Sequence, residues 1–338
     1  MTNSVVKAAG FILFCLLIAA CQPQQPAKSQ VVFSGPMMGT QYRITVVVSP
    51  EQNLTEIENS AVAAMEAVNQ SMSNYLDDSE LSQVNRAPAN RAIALSNGLA
   101  EVLSQAQSIS VMTGGAFDVT LAPVINLWGF GPSGQVTKKP SEKTLSNLKA
   151  SVGYQTIELQ EKSLVKNNDS VTIDLSAIAK GYGVDQVAIA LQQKGVSDYL
   201  INIGGELKAS GVNIDEEIWR VGIEKPHVLG GVQKIVPLAN TAIATSGDYR
   251  NFNIIDGQQY SHTIDPETLS PVFHKLALVS VIHESASMAD GLATALMAMG
   301  DQRALRFANE HELSAYFVVR GDNGDEYVEQ MSNKFIAN

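Results

Sequence analysis

Apolar residues recur at helical spacing in four stretches of the chain. Ile57, Ala61, Ala64, Met65 and Val68 mark one face of Leu54–Met72, and Leu95–Met112 carries a second such pattern that runs out at Thr113-Gly114-Gly115. A third helix is expected from Ser176, as its cap, to about Ala190, closed by Gly195. The fourth, Ser287–Gly300, places Ala289, Leu292, Ala293 and Leu296 at core spacing.

Between these helices the period changes to two. Gly39–Val48 alternates as a strand, and Tyr154–Leu175 reads as a hairpin turning at Asn167-Asn168-Asp169 with Val171–Leu175 returning. Tyr199–Ile203 and Glu206–Ala209 flank Gly204-Gly205. Asn253–Ile255 and Tyr260–Ile264 flank the Asp256-Gly257 turn. Trp219–Glu224, Ala242–Thr245, Leu276–Ile282 and Ser314–Val319 complete the set. Strands outnumber helices and many are joined as hairpins, so the expected class is α+β with largely antiparallel sheet.

The first residues follow another rule. Lys7 precedes an apolar run from Ala8 to Ala20, short for a bilayer span but sized as a signal-peptide core. Ile18-Ala19-Ala20-Cys21 resembles the lipobox of bacterial lipoproteins, with Ile where Leu is usual, and a plain membrane anchor is the alternative. Residues 1–20 are thus expected to be a signal, Cys21 the lipidated residue and 21–32 a tether. The expected address is the periplasmic side of the envelope, with Gln22 favouring the outer membrane over the inner. Cys15 and Cys21 are the two cysteines, so the exported part has no thiol for a disulfide or a catalytic cysteine.

Residues 33–338 then form a single expected domain without repeats or low-complexity breaks. The net charge of −11 argues against nucleic-acid binding by general electrostatics. An anionic phosphate ligand would need local positive charge: a cation, a lysine or a helix N-terminus.

Candidate chemistry gathers in four places. Asp290 and Thr294 lie one turn apart on one helix face, two hard oxygen donors of the kind Mg²⁺ takes. A capping box from Ser287 to Asp290, and a Thr294 hydroxyl bonded back along its helix, explain the same pattern without a metal. Gly114-Gly115-Ala116-Phe117-Asp118 is a glycine-opened acidic loop leading to Trp128 and Phe130; it is equally a surface turn before two core aromatics. Lys180 sits at the opening of the third helix, where Gly181 and Gly183 each cost about 1 kcal/mol relative to Ala, which points to close packing or an anion site. His262 stands on the last hairpin before Asp265-Pro266.

Met38-Gly39-Thr40, Gly115 to Thr120, Asp174-Leu-Ser-Ala177-Ile-Ala-Lys180-Gly181, His262-Thr-Ile264-Asp265-Pro266 and Asp290-x-x-x-Thr294 occur in one order. In this the chain resembles the ApbE-type FAD:protein FMN transferases from about Ser34 onward. The resemblance implies a Mg²⁺-dependent enzyme that cleaves FAD, attaches FMN by a phosphoester bond to a Thr or Ser of a target protein, and releases AMP. It implies Asp290, Thr294 and a backbone oxygen of Ala177 as metal ligands. Met38, Tyr75, Ala116, Phe117, Asp118, Asp174, Lys180 and Ile264 become FAD contacts, and His262 and Asp290 catalytic residues. Ala293 stands where some members carry an acid, which leaves a second ion open. The implied acceptors are exported subunits of redox complexes such as the sodium-translocating NADH:quinone oxidoreductase or Rnf type. The alternatives are Mg²⁺-dependent FAD hydrolysis to FMN and AMP, a non-catalytic flavin-binding lipoprotein, and a structural envelope lipoprotein.

Overall fold

The computed structural model describes residues 27–226, 231–249, 251–321 and 326–335. The expected signal 1–20 and Cys21 lie outside them. The class is α+β, as expected. Eight strands form one wholly antiparallel sheet: β1 (Ser29–Met37), β2 (Thr40–Val48), β3 (Asp198–Ile203), β4 (Glu206–Ser210), β5 (Ala242–Gly247), β6 (Leu276–His283), β7 (Ser314–Arg320) and β8 (Tyr327–Met331). Their spatial order is their chain order, and the other described helices and strands lie in the connections between sheet neighbours. β1 had no counterpart in the sequence pattern, and residues 29–32 of the expected tether are its first positions.

Both faces of the sheet are covered, and β2 shows it. Ile44, Val46 and Val48 point into one apolar cluster, while Val47 points into another. Thr45–Val48 is therefore continuously buried rather than alternating. On the first face lie α1 (Leu54–Met72), α2 (Asn97–Met112), α3 (Ala179–Gln193) and α4 (Ala286–Met299), with α5 (Asp301–Glu310) following α4. The hairpin Trp219–Glu224/Val232–Leu238 covers the second face through Trp219, Val221, Val236 and Leu238.

A smaller lobe is built around buried Trp128. Its indole N–H donates to the Leu269 carbonyl at 3.0 Å, and Asn253 donates to the Trp128 carbonyl at 2.7 Å. Leu121, Val124, Ile255 and Ile264 pack with it. These contacts tie the helix Ala122–Leu127 to the hairpin Phe252–Ile255/Gln258–Ser261 that ends beside His262.

Three expected boundaries are corrected. The Tyr154–Leu175 hairpin is shorter, pairing Ile157–Gln160 with Ser163–Lys166 about a turn at Glu161. Residues 171–175 form no strand, because the Asn85 side chain takes both backbone groups of Ile173, at 2.7 and 2.9 Å, in place of a neighbouring strand. Ser176 caps no helix: α3 starts at Ala179, and the Ser176 hydroxyl bonds Asp174 instead. The cap of α4 is Ser285, whose hydroxyl accepts from the Met288 N–H at 3.2 Å, and not Ser287, which turns inward to Gln105.

α3 and α4 touch backbone to backbone. A Cβ added at Gly181 would lie 2.3 Å from the Ala286 carbonyl oxygen and 2.7 Å from the Ser287 Cα. Neither is a side chain that can swing away. Asp185, one turn along α3, receives the Ala286 and Ser287 N–H groups, each at 3.0 Å, and so caps α4 from outside. Gly181→Ala is expected to force the two helices apart and destabilise the protein by about 1–3 kcal/mol, the usual cost of overpacking. Urea unfolding of the variant checks this; an unchanged midpoint contradicts the close approach.

Candidate active site

Two tight turns and two helices converge at one end of the sheet. Met38-Gly39 joins β1 to β2, and Gly204-Gly205 joins β3 to β4, with φ positive at all four residues as such turns require. The turns pack on the start of α3. A Cβ at Gly204 would lie 3.3 Å from the Lys180 Cδ, and one at Gly183 would lie 3.0 Å from the Met38 sulfur.

Asp290 sits on α4 at 4% exposure. Its Oδ2 accepts from the Gly181 N–H at 3.1 Å and lies 3.8 Å from the Lys180 ammonium. Lys180 also lies 3.5 Å from Oε1 of Glu206, the first residue of β4, and donates to the Ser176 carbonyl at 3.2 Å. Two buried carboxylates thus share one lysine. Burial raises the Asp290 carboxyl above its ordinary value, against the opposing pull of Lys180 and the Gly181 N–H. Burial pushes the Glu206 carboxyl up to about 8, again against Lys180. The lysine itself is raised: burial opposes its charge, but Asp290, Glu206 and Asp174 together prevail.

One turn beyond Asp290, the Thr294 hydroxyl lies 3.4 Å from that of Ser246 near the end of β5. Beyond Ser246, Asp248 is held by a two-point ion pair to Arg320, with one contact at 2.7 Å. His262 approaches from the smaller lobe. Its Nδ1 lies 3.0 Å from the Asn251 carbonyl, which only accepts, so Nδ1 carries the proton and Nε2 keeps its lone pair. Phe130 meets the imidazole edge-on at 6.4 Å. Burial lowers the His262 pKa, Lys180 lowers it further, and the Asn251 carbonyl and Asp248 raise it. The ring is therefore neutral at pH 7, with Lys180 and Asp248 within electrostatic reach.

The other expected residues divide into two groups. Asp174, 7% exposed, accepts from the Ser176 N–H at 2.8 Å and shapes the turn holding Ala177 just before Lys180. Tyr75 is exposed. Its hydroxyl pKa is raised, first by partial burial and then by the charge of Asp174. Asp118 is engaged internally: its Oδ1 accepts from the Thr120 N–H at 2.7 Å and the Thr120 hydroxyl at 2.6 Å. Phe117 and Ile264 turn their side chains into separate apolar clusters, and Ala116 is half-buried beside Phe117. Glu206, Ser246 and Asp185 were not singled out by sequence reasoning. The one sign of Glu206 was a carboxylate directly after the Gly-Gly turn of a hairpin.

Among the described residues no cluster of three or more His, Cys, Asp or Glu is arranged for a metal. A cation here would take oxygen from one carboxylate, a hydroxyl, a carbonyl and a bound ligand, a set suited to a hard ion. The charge balance fits one, since Asp290 and Glu206 exceed Lys180 by one negative charge when both are ionised.

Glu206 keeps its proton to about pH 8 in the fold but loses it near 4.5 when unfolded. Its contribution to stability is therefore full below about 4.5 and is lost as pH rises through about 8. In EDTA the unfolding temperature is expected to fall between pH 5 and 8.5. Glu206→Gln should flatten that fall; a variant with the wild-type slope contradicts the assignment.

Residues 38–317 match the ApbE family. The chain is 39% identical over 340 residues to a Vibrio cholerae protein named FAD:protein FMN transferase, with all of both chains covered. It is 39% identical to a Haemophilus influenzae protein of the same name, covering 96% of this chain and 95% of that one. Among solved structures, the Vibrio cholerae flavin transferase ApbE superposes with a TM-score of 0.85 at 39% identity, over 91% of this chain and 98% of that one. The apo Pseudomonas stutzeri flavinyl transferase ApbE does so with 0.83 at 37% identity, over 91% and 96%.

Proposed function

The chain belongs to the ApbE family, and we propose that it transfers FMN from FAD to a protein hydroxyl at the site around Asp290, Lys180 and His262, with Mg²⁺ as its metal. Its activity is that of its relatives, an FAD:protein FMN transferase. The single observation that carries the placement is the shared lysine: two buried carboxylates, one ammonium and the Thr294 and Ser246 hydroxyls meet where a neutral histidine arrives from another lobe.

The reaction joins the acceptor oxygen to the phosphorus on the FMN side of the FAD pyrophosphate. The P–O bond to AMP breaks, and AMP leaves with the bonding electron pair. Such phosphoryl transfer depends on positioning and on neutralising negative charge. Lys180 supplies a fixed positive charge toward the pyrophosphate. His262, neutral and with Nε2 free, takes the acceptor's proton as the new bond forms. The Asn251 carbonyl holds the ring's tautomer and direction throughout. Asp290, Thr294 and the Ala177 carbonyl would hold the ion. When bound, Mg²⁺ supplies charge neutralisation for the pyrophosphate oxygens and the leaving phosphate. The Gly181 N–H fixes one Asp290 oxygen and leaves the other for a ligand.

Around this site Met38, Ala116, Phe117, Asp118, Asp174 and Ile264 provide the FAD-binding surface, through backbone groups where their side chains are internal. Tyr75, exposed, offers a flat ring for the flavin or adenine. The acceptors would be exported subunits of redox complexes of the NADH:quinone oxidoreductase or Rnf type.

Mixing the protein with FAD, Mg²⁺ and an acceptor domain, then weighing the acceptor, tests the reading. The expected gain is one FMN moiety, with one AMP released. Asp290→Ala is expected to abolish transfer, and His262→Ala to slow it by about 10²–10⁴ while FAD still binds. Near-normal Mg²⁺-dependent transfer by the Asp290 variant contradicts the metal site, and AMP release with no mass gain favours hydrolysis.

We further propose that Cys21 anchors the chain by lipid to the periplasmic side of the envelope. The support is the sequence alone: Lys7, the apolar residues 8–20 and the Ile-Ala-Ala-Cys motif. Cys21→Ser is expected to release the protein into the soluble fraction; retention on membranes contradicts the anchor.

A further inference from the structure

Glu206 has no task in the chemistry above, yet it is one of the most deeply placed acidic groups of the site. It is 4% exposed, and its position is fixed by the Gly204-Gly205 turn, which sets it across from Ile203 in the β3–β4 register. Oε1 faces Lys180 at 3.5 Å. Oε2 is buried and has no hydrogen-bond partner among the described residues. A buried carboxylate oxygen without a donor is costly, and folds retain one where a ligand or a function compensates. Lys180 meanwhile has a second carboxylate, Asp290, at 3.8 Å.

The two carboxylates do not do the same work. Asp290 lies one turn from Thr294 and is the group placed to meet a cation. A cation there repels the ammonium beside it, and with Asp290 engaged by that cation Lys180 would keep only the longer-range attraction of Asp174 and would be driven off. Glu206 gives the ammonium another carboxylate, on β4 rather than on α4. We propose that Glu206 is the positioning residue for Lys180: it holds the ammonium in the site while the cation occupies Asp290, so that both positive charges face the pyrophosphate together. This rests on the Mg²⁺ assignment made above. With both carboxylates ionised the cluster carries one net negative charge. The charge is zero without Glu206, two negative without Lys180, and one negative again without both.

That charge order is the test. Mg²⁺ alone is titrated calorimetrically into the metal-free protein at pH 8.5, without FAD. Glu206→Gln is expected to weaken Mg²⁺ binding about tenfold and Lys180→Met to strengthen it by a similar factor, the scale of one unit charge at close range. The double variant should return to within about threefold of wild type. At saturating Mg²⁺, Glu206→Gln should also weaken FAD binding, but have no effect in the Lys180→Met background, because Glu206 acts through the lysine. Glu206→Asp, which keeps the charge but draws it back by one methylene, should shift both affinities in the same directions by less. Unfolding temperatures in EDTA serve as the control for folding, and Glu206→Gln is expected to melt no lower than wild type. Mg²⁺ and FAD affinities within twofold of wild type in Glu206→Gln overturn the proposal, as does an equal loss of FAD affinity with and without Lys180. A wild-type protein that takes up no Mg²⁺ overturns the metal assignment itself, and this inference with it.

Discussion

The constraint on which the site depends is the contact of α3 with α4 at the level of their backbones. It lets the Gly181 N–H reach Asp290 at 3.1 Å, brings Lys180 to the same carboxylate, and lets Asp185 accept from the first N–H groups of α4, which have no partner within their helix. Each link is ordinary alone. Together they keep an acidic side chain buried in a helix whose other residues are almost all apolar. A carboxylate so placed cannot relax toward water, and burial without full compensation is what raises its pKa. The proposed cation would complete charge compensation that the protein's own groups leave partial.

The remainder of the fold delivers partners to that contact. The antiparallel sheet ends there in two turns, and the second sets Glu206 against Lys180. β5 adds Ser246 opposite Thr294. The smaller lobe, tied together through Trp128, contributes His262 as a neutral ring held by one carbonyl. In the proposed reaction, charge neutralisation and proton acceptance would thus come from separate parts of the fold. Such a division suits a transferase with two substrates, since the large one, a protein, must reach the histidine without displacing the small one.

Much of this was legible in the sequence. α1, the β3–β4 turn and the 252–261 hairpin follow directly from hydrophobic period and glycine placement, and the order of five short motifs pointed to the family. What was not legible has physical causes. β1 carries Gly35 and Pro36 and follows a Gln- and Pro-rich stretch, so its pairing with β2 had no period strong enough to show. Residues 171–175 look like a strand because they alternate and are buried, but Asn85 from a distant helix takes the hydrogen bonds a strand would give a neighbour. Ser285 and Ser287 are equally good caps in sequence, and only the position of Asp185 and Gln105 decides between them. Glu206 was invisible for the same reason: its meaning lies in a lysine from another element, twenty-six residues earlier in the chain.

The most direct test of the account is the location of a metal in a crystal grown with FAD and Mn²⁺ in place of Mg²⁺, read from the anomalous signal of the manganese. The account predicts one peak in contact with the Asp290 carboxylate and the Thr294 hydroxyl, touching the pyrophosphate, with Lys180 still paired to Glu206. A peak elsewhere, or a pyrophosphate bound at this site with Asp290 still paired to Lys180 and no metal between them, would contradict it.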